Sequence, residues 1–373
     1  MPNAIDYIAW RGDLSFDISP LNEADILLFT FVGTPDLTGF VPADAGAVPL
    51  PEALDAYYAA HPETGQLGLI GSTYTLTAME RMRHAERYSG VLLTMFANKV
   101  IPEITEQFSA LTLRSNGLNF VTFRGTDDSL TGWKENFLLA CRTTMEAQND
   151  AVRYLTRVAN AFDGPIVVTG HSKGGNLGVW AAVNAAPEIR ERIVSIVSYD
   201  GPGFNADLFG KPEYAELESR ITTVVPESSV VGMILRNAGA LRIVRTNTMG
   251  ITGHDAFTWE MDRRGLLPAE DLSETSRAFH KTLEDVFSRM NEEELCKLVD
   301  GIFEVLDASG AANLSDFSQG TLRKLIATAR SLGSEPEVYV FIKALLGGTI
   351  RRTGLQLWDK LFPSAGGELQ KEG

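Results

Sequence analysis

One short run has the residue types and spacing of a nucleophile site: Gly170-His171-Ser172-Lys173-Gly174. A G-x-S-x-G pattern between a strand and a helix is typical of a serine held on a sharp turn at the edge of a sheet. Glycines on both sides remove Cβ atoms that would clash there, and the following helix directs an N–H group toward a developing oxyanion. The pattern therefore predicts attack by Ser172 on an acyl carbonyl; the alternative is an ordinary glycine-rich turn.

A serine hydroxyl is a weak nucleophile at neutral pH, so a histidine must accept its proton. The chain has five histidines, and two of them, His61 and His84, precede the nucleophile motif, against the usual α/β-hydrolase order of serine, acid, histidine. His171 lies on the turn itself, where we expect a packing role, and His280 falls in a predicted helix, off its apolar stripe. His254 follows a glycine-containing loop and is the predicted proton acceptor; the alternative is a surface loop histidine.

The sequence around Ser172 also predicts the elements that position it. A buried strand at 165–169 precedes the serine, a helix at 176–186 follows it, and β-branched runs come next at 193–199 and 221–225. Strands that alternate with helices imply right-handed crossovers. We expect the α/β-hydrolase fold, with a mostly parallel central sheet, flanking helices and a helical C-terminal extension.

Upstream of residue 165 the patterns are more varied. Apolar residues predict a strand over 26–31 and a helix over about 77–100. Two β-rich runs, 108–113 and 118–123, flank Asn116-Gly117, which is a strong hairpin signal. A helical stripe begins at Ala147.

Several motifs carry a family resemblance. Residues 120–128 read F-V-T-F-R-G-T-D-D and Trp133 follows; with the serine turn, this resembles the class 3 (fungal triacylglycerol-type) lipases. A set of largely uncharacterised bacterial proteins of that branch is closer, since they share L-N-E-A-D, F-R-G-T-D-D, G-H-S-K-G-G-N-L, Y-D-G-P-G-F and a final His-Asp, over about residues 20–262. The resemblance implies an oxyanion hole formed by Thr126 and by the backbone of Lys173.

Two residues compete to orient His254. Asp200 follows the strand at 193–199, whereas Glu227 follows the next strand, which is the more usual position of the acid. The class 3 lipases carry an aspartate before a Val-Pro there, where this chain has Ser228-Ser229-Val230-Val231, and the bacterial relatives keep a Y-D-G-P-G-like element. We therefore predict a Ser172-His254-Asp200 triad, with Glu227 as the alternative acid. The other role open to Asp200 is to cap its turn.

The predicted function is hydrolysis of a carboxylic ester, lipase- or esterase-like, through an acyl-enzyme. The substrate would be a small-molecule acyl ester or a lipid, and this chemistry needs neither a metal nor an organic cofactor. Two alternatives remain at this point. One is a catalytically silent binding or regulatory protein that keeps the fold, and the other is an acyltransferase that uses the same triad.

Composition limits the partners. The 373 residues are 44% apolar, and this apolar content at this length is typical of a globular protein. The chain has 33 basic and 48 acidic side chains, for a net charge of −15. Because phosphate recognition needs basic surface, nucleic-acid binding is not expected. The sequence leaves the oligomeric state open.

The remaining expectations concern compartment and domains. The N-terminus lacks the pattern of a signal peptide, no apolar run is long enough for a membrane span, and Cys141 and Cys296 have no disulfide or zinc spacing, so we expect a cytoplasmic protein. We divide the chain into a lipase-like domain (1–270), a helical extension packed on it (271–363) and a disordered tail (364–373). Apolar stripes in the extension are expected to face a core.

Overall fold

The computed structural model describes residues 1–62, 73–101, 106–126, 134, 145–287, 293–294, 296–297, 299–301 and 303. The helices are α1 (Ala4–Arg11), α2 (Glu23–Val32), α3 (Leu50–Ala60), α4 (Thr73–Arg83), α5 (Glu146–Ala161), α6 (Lys173–Val183), α7 (Pro187–Arg190), α8 (Ala206–Phe209), α9 (Pro212–Leu217) and α10 (Glu274–Phe287). The strands are β1 (Ala47–Pro49), β2 (Leu92–Ile101), β3 (Glu106–Ser115), β4 (Leu118–Phe123), β5 (Ile166–His171), β6 (Ile193–Tyr199), β7 (Ile221–Pro226), β8 (Ala240–Val244), β9 (Met261–Asp262) and β10 (Gly265–Leu266).

The first eight strands form one sheet in the order of the chain. Strands β1 to β4 pair antiparallel, and β4 to β8 pair parallel. Because parallel strands end at the same edge, the segments that follow β4, β5, β6 and β7 meet there. This is the α/β-hydrolase fold that the sequence predicts.

Helices cover both faces of the sheet, so each face has its own core. Alternate residues of a strand point to opposite faces: Val167 packs in the cluster that includes residues of α1 to α4, and Val168 packs in the cluster that includes residues of α5 and α6. The parallel strands are therefore buried on both sides, which explains their nearly continuous apolar sequences.

The structure confirms some local predictions and corrects two. The hairpin of β3 and β4 forms around Asn116-Gly117, with Ser115 opposite Leu118. Residues 26–31, predicted to be a strand, lie in α2 instead. Most of this helix is buried on all sides, and its apolar residues therefore do not show the period that distinguishes a helix from a buried strand. The predicted helix over 77–100 ends at Arg83, and its second half is strand β2.

Helix α2 begins with a capping box, and the acid of that box also forms a buried ion pair. Asn22 Oδ1 accepts from the Ala24 N–H, and the Asn22 N–H donates to Asp25 Oδ2 at 3.0 Å. The Asp25 carboxylate also accepts from Arg87, Nε to Oδ1 at 2.7 Å and Nη2 to Oδ2 at 2.6 Å, and both side chains are fully buried. Burial, followed by the Asp25 charge, raises the pKa of Tyr7, another partner of this carboxylate, to about 12.

A second ion pair joins α2 to the far edge of the sheet. Glu23 pairs with Arg242 on β8 and accepts from the Leu266 N–H at 2.9 Å. The Tyr199 hydroxyl donates to the Glu23 carbonyl at 3.3 Å. The L-N-E-A-D segment therefore fixes the N-terminal helices to strands β6, β8 and β10.

Only the first part of the predicted C-terminal extension is described. Helix α10 is present, whereas most of 271–363 and all of 364–373 lie outside the described residues, so the domain boundaries remain a prediction. Cys296 is disulfide-bonded, contrary to the expectation from the wide spacing of the two cysteines. The cysteines thus lend no support to a reducing compartment. Among the described residues, no helix is long and apolar enough to cross a bilayer.

The ion pair of Asp25 and Arg87 predicts a large stability effect. We expect Arg87→Met to lower the free energy of unfolding by about 3–5 kcal/mol, because it leaves a buried carboxylate without its counter-charge. The exposed pair of Asp271 and Arg277 supplies the control, since Asp271→Asn should change stability by less than about 1 kcal/mol. Urea denaturation measures both, and equal losses would contradict the prediction.

Candidate active site

Ser172 lies on a strained turn between β5 and α6. Its backbone is left-handed, with φ 58° and ψ −133°, its side chain is fully buried, and its N–H donates to the Tyr199 carbonyl at 2.9 Å. Within the described part of the chain, the Ser172 hydroxyl has no hydrogen-bond partner. An unsatisfied buried hydroxyl on a strained turn is the kind of outlier that points to a functional site.

The glycines around Ser172 are required by close packing. A Cβ on Gly174 would lie 2.0 Å from the Phe123 carbonyl oxygen, and one on Gly170 would lie 2.1 Å from the Gly174 carbonyl oxygen. Helix α6 therefore approaches β4 and β5 more closely than any side chain allows. This approach fixes the direction of the turn, and it explains the G-x-S-x-G spacing.

His254 and Asp200 form a buried pair. His254 Nδ1 and Asp200 Oδ2 are 2.6 Å apart, and both side chains are almost completely buried. Asp200 directly follows β6 with a left-handed φ of 46°, and its N–H donates to the Val224 carbonyl. Because a carboxylate oxygen can only accept, Nδ1 carries the proton, which leaves Nε2 as the nitrogen that can take a proton from a substrate or nucleophile when the ring is neutral.

Glu227, the alternative acid, has different partners. Its Oε1 accepts from the Thr246 N–H at 3.2 Å, its own N–H donates to the Val244 carbonyl, and its carbonyl accepts from the Ser273 N–H. These contacts hold the end of β7 against β8 and α10. The structure thus brings Asp200, and not Glu227, to His254.

His171 supports His254 from the nucleophile turn. The two imidazole rings lie 4.5 Å apart, and His171 Nε2 donates to the His254 carbonyl at 2.7 Å. Burial, with the neighbouring His254 as a smaller cause, holds the pKa of His171 well below 6.5, so this ring is neutral. On the other side, Trp259 Nε1 donates to the Gly253 carbonyl at 2.8 Å. The packing role expected for His171 therefore includes fixing the loop that carries His254.

The two predicted oxyanion-hole residues lie on either side of the turn. Lys173 is the first residue of α6, where backbone N–H groups point out of the helix end. Thr126 follows β4 and is buried; the preceding Gly125 passes so close to the turn that a Cβ there would be 3.0 Å from Ser172 Cβ. The rest of that motif, Asp127, Asp128 and Trp133, lies outside the described residues.

Other residues that hold the site are not among the site residues predicted from the sequence. Ser229 Oγ and the Gly232 N–H donate to Asp200 Oδ1 at 2.5 and 3.1 Å. Asn176, four residues after Ser172, donates to the Pro202 and Gly203 carbonyls and accepts from Gln148. Of these, only Asn176 lies in a recognisable motif, G-H-S-K-G-G-N-L. In the described ranges, no three or more His, Cys, Asp or Glu side chains cluster so as to hold a metal ion.

The neutral state of buried His171 predicts a loss of stability in acid. Below pH 6.5 the unfolded chain binds a proton at this residue that the folded chain does not, so the free energy of unfolding should fall by up to about 1.4 kcal/mol per pH unit. His171→Gln can still donate to the His254 carbonyl but does not titrate. We expect urea denaturation from pH 7.5 to 5.5 to show a steeper loss in the wild type than in this variant; parallel curves would contradict the assignment.

Comparison with known proteins shows which family the chain belongs to. No curated protein matches the chain. Among solved structures, similarity extends to M37 lipase (15% identity, TM-score 0.38, 58% of this chain and 71% of that one). It also extends to a triacylglycerol lipase described as having a serine protease triad (12%, 0.38, 59% and 79%) and to a lipase from Rhizopus microsporus var. chinensis (14%, 0.35, 69% and 84%). The Mbeg1-like family matches residues 82–304, which is more than half of the chain, and the protein therefore belongs to the Mbeg1-like family.

Proposed function

We propose that this protein is a serine hydrolase of carboxylic esters that uses Ser172, His254 and Asp200 as its catalytic triad. The observation that carries the proposal is the buried hydrogen bond between His254 Nδ1 and Asp200 Oδ2, at 2.6 Å. A bond of this kind fixes the tautomer in which the other ring nitrogen accepts a proton. The ring of His254 packs against His171, which directly precedes the serine on the strained strand-to-helix turn.

In the proposed mechanism, Ser172 Oγ attacks the carbonyl carbon of the ester while its proton moves to His254 Nε2. Asp200 remains ionised and stabilises the imidazolium that forms. His254 then returns the proton to the leaving alcohol, and Ser172 keeps the acyl group. A water molecule, deprotonated by the same histidine, cleaves the acyl-enzyme and regenerates the serine.

The negative charge on the carbonyl oxygen would be stabilised by Lys173 and Thr126. The backbone N–H of Lys173 lies at the N-terminus of α6, where the helix dipole favours an anion. Thr126 would supply the second donor from the segment after β4. Arg124 fixes this segment, since its guanidinium donates to the Thr34 carbonyl and to Asn98 Oδ1. Donors held in place before the reaction stabilise the transition state most effectively.

The substrate is proposed to be an acyl ester, either a small molecule or a lipid. A fluorophosphonate probe and short- and long-chain p-nitrophenyl esters test this directly. We expect the wild type to be labelled and to hydrolyse at least one ester, and Ser172→Ala to do neither. A wild type that is neither labelled nor active would refute the proposal and favour a non-catalytic protein.

A second experiment identifies the acid. Asp200→Asn should lower kcat about 10³- to 10⁴-fold, because an amide favours the wrong tautomer of His254. Glu227→Gln should stay within a fewfold of the wild type, since its carboxylate contacts only a backbone N–H among the described side-chain bonds. If Glu227→Gln alone abolishes activity, the triad assigned here is wrong.

A further inference from the structure

Asp200 is held from the side opposite His254 by a serine. While Oδ2 accepts from His254, Oδ1 accepts from Ser229 Oγ at 2.5 Å and from the Gly232 N–H at 3.1 Å. Ser229 and Asp200 are both fully buried. A buried carboxylate needs such donors, since it has lost its contact with water.

The packing at Gly232 leaves this carboxylate little freedom. A Cβ on Gly232 would lie 2.4 Å from Asp200 Oδ1 and 2.9 Å from Ser229 Oγ. A side chain at residue 232 would therefore clash with both ends of the hydrogen bond between Ser229 and Asp200. Rotation of the carboxylate away from His254 would break this bond and the bond to the Gly232 N–H together.

The segment that supplies both donors, residues 227–233, is in turn attached to α10. The Ser273 N–H donates to the Glu227 carbonyl at 2.7 Å, and Ser276 Oγ donates to the Ser229 carbonyl at 2.5 Å. His280 Nδ1 lies 3.1 Å from the Met233 carbonyl, to which it donates. Ser273 directly precedes α10, and residues 276 and 280 lie one turn apart on the helix, so α10 and the residue before it contact the segment at three carbonyls.

We propose that Ser229 is a positioning residue for Asp200, and that α10 fixes Ser229 in place through Ser276. The hydroxyl of Ser229 holds the carboxylate in the orientation in which its other oxygen meets His254. Helix α10, the first element of the C-terminal region, thereby contributes to the geometry of the triad without touching substrate. This inference rests on the proposed hydrolase function.

The neighbouring serine provides a matched control. Ser228 is also buried, and its hydroxyl has no hydrogen-bond partner in the described portion of the chain. We expect Ser229→Ala to lower kcat about tenfold with KM within twofold of the wild type, because the triad loses a hydrogen bond to a charged acceptor but no substrate contact. Ser228→Ala should leave both constants within twofold. Equal effects of the two substitutions, or an unchanged kcat in Ser229→Ala, would overturn the proposal.

The link to α10 is tested in the same way. Ser276→Ala removes the hydroxyl that binds the Ser229 carbonyl, whereas Thr275→Ala removes the hydroxyl of an exposed neighbour on the same helix. We expect a two- to fivefold loss of kcat with unchanged KM in Ser276→Ala only. An unchanged kcat in Ser276→Ala would remove α10 from the proposal.

A measurement without substrate separates this proposal from the function on which it rests. The Nδ1 proton of His254, hydrogen-bonded to a carboxylate, gives a low-field proton NMR signal that His254→Ala identifies by its loss. We expect the signal to move in Ser229→Ala and to stay in place in Ser228→Ala. An active wild type whose signal is the same in both variants would overturn the positioning role and leave the hydrolase function standing. An inactive wild type whose signal moves only in Ser229→Ala would refute the function instead.

Discussion

The buried carboxylate of Asp200 is the constraint around which the candidate site is arranged. A charge taken out of water needs donors on both oxygens, and here they come from separate parts of the chain: His254, Ser229 and Gly232. Strand β6 supplies the acid, the segment after β7 supplies two donors, and the loop before β9 supplies the histidine. The donors to one carboxylate therefore join the segments that follow β6 and β7 to the loop that carries His254, and α10 is attached to the same segment after β7.

A steric constraint complements this electrostatic one. Helix α6 crosses β4 and β5 at distances that only glycine permits at positions 170 and 174. The turn between strand and helix has no room to relax, so Ser172 keeps its left-handed backbone, and His171 is pressed against the ring of His254. The strain at the turn is thus maintained by packing of the whole sheet.

Paired charges also fix the N-terminal helices, at a distance from the site. Asp25 and Arg87 neutralise each other in the interior, and Glu23 with Arg242 joins α2 to strand β8. Both pairs add little net stability, yet breaking the buried pair of Asp25 and Arg87 is costly because a charge is left alone. They therefore specify where the N-terminal helices lie against the sheet, and the sheet in turn sets the positions of its carboxyl ends.

Local sequence by itself determined the strand–turn–helix unit around Ser172, the hairpin of β3 and β4, and a short set of candidate residues, because each depends on nearby glycines, turn residues and apolar runs. It misassigned residues 26–31, since a helix buried on all sides has no apolar period that distinguishes it from a buried strand. It also left Asp200 and Glu227 open as partners of His254, because both follow parallel strands and so reach the same edge. Only the tertiary structure decided which carboxylate meets the histidine, and it alone placed Ser229 and α10 behind Asp200. Those contacts join residues far apart in the chain, and their geometry depends on how the loops pack.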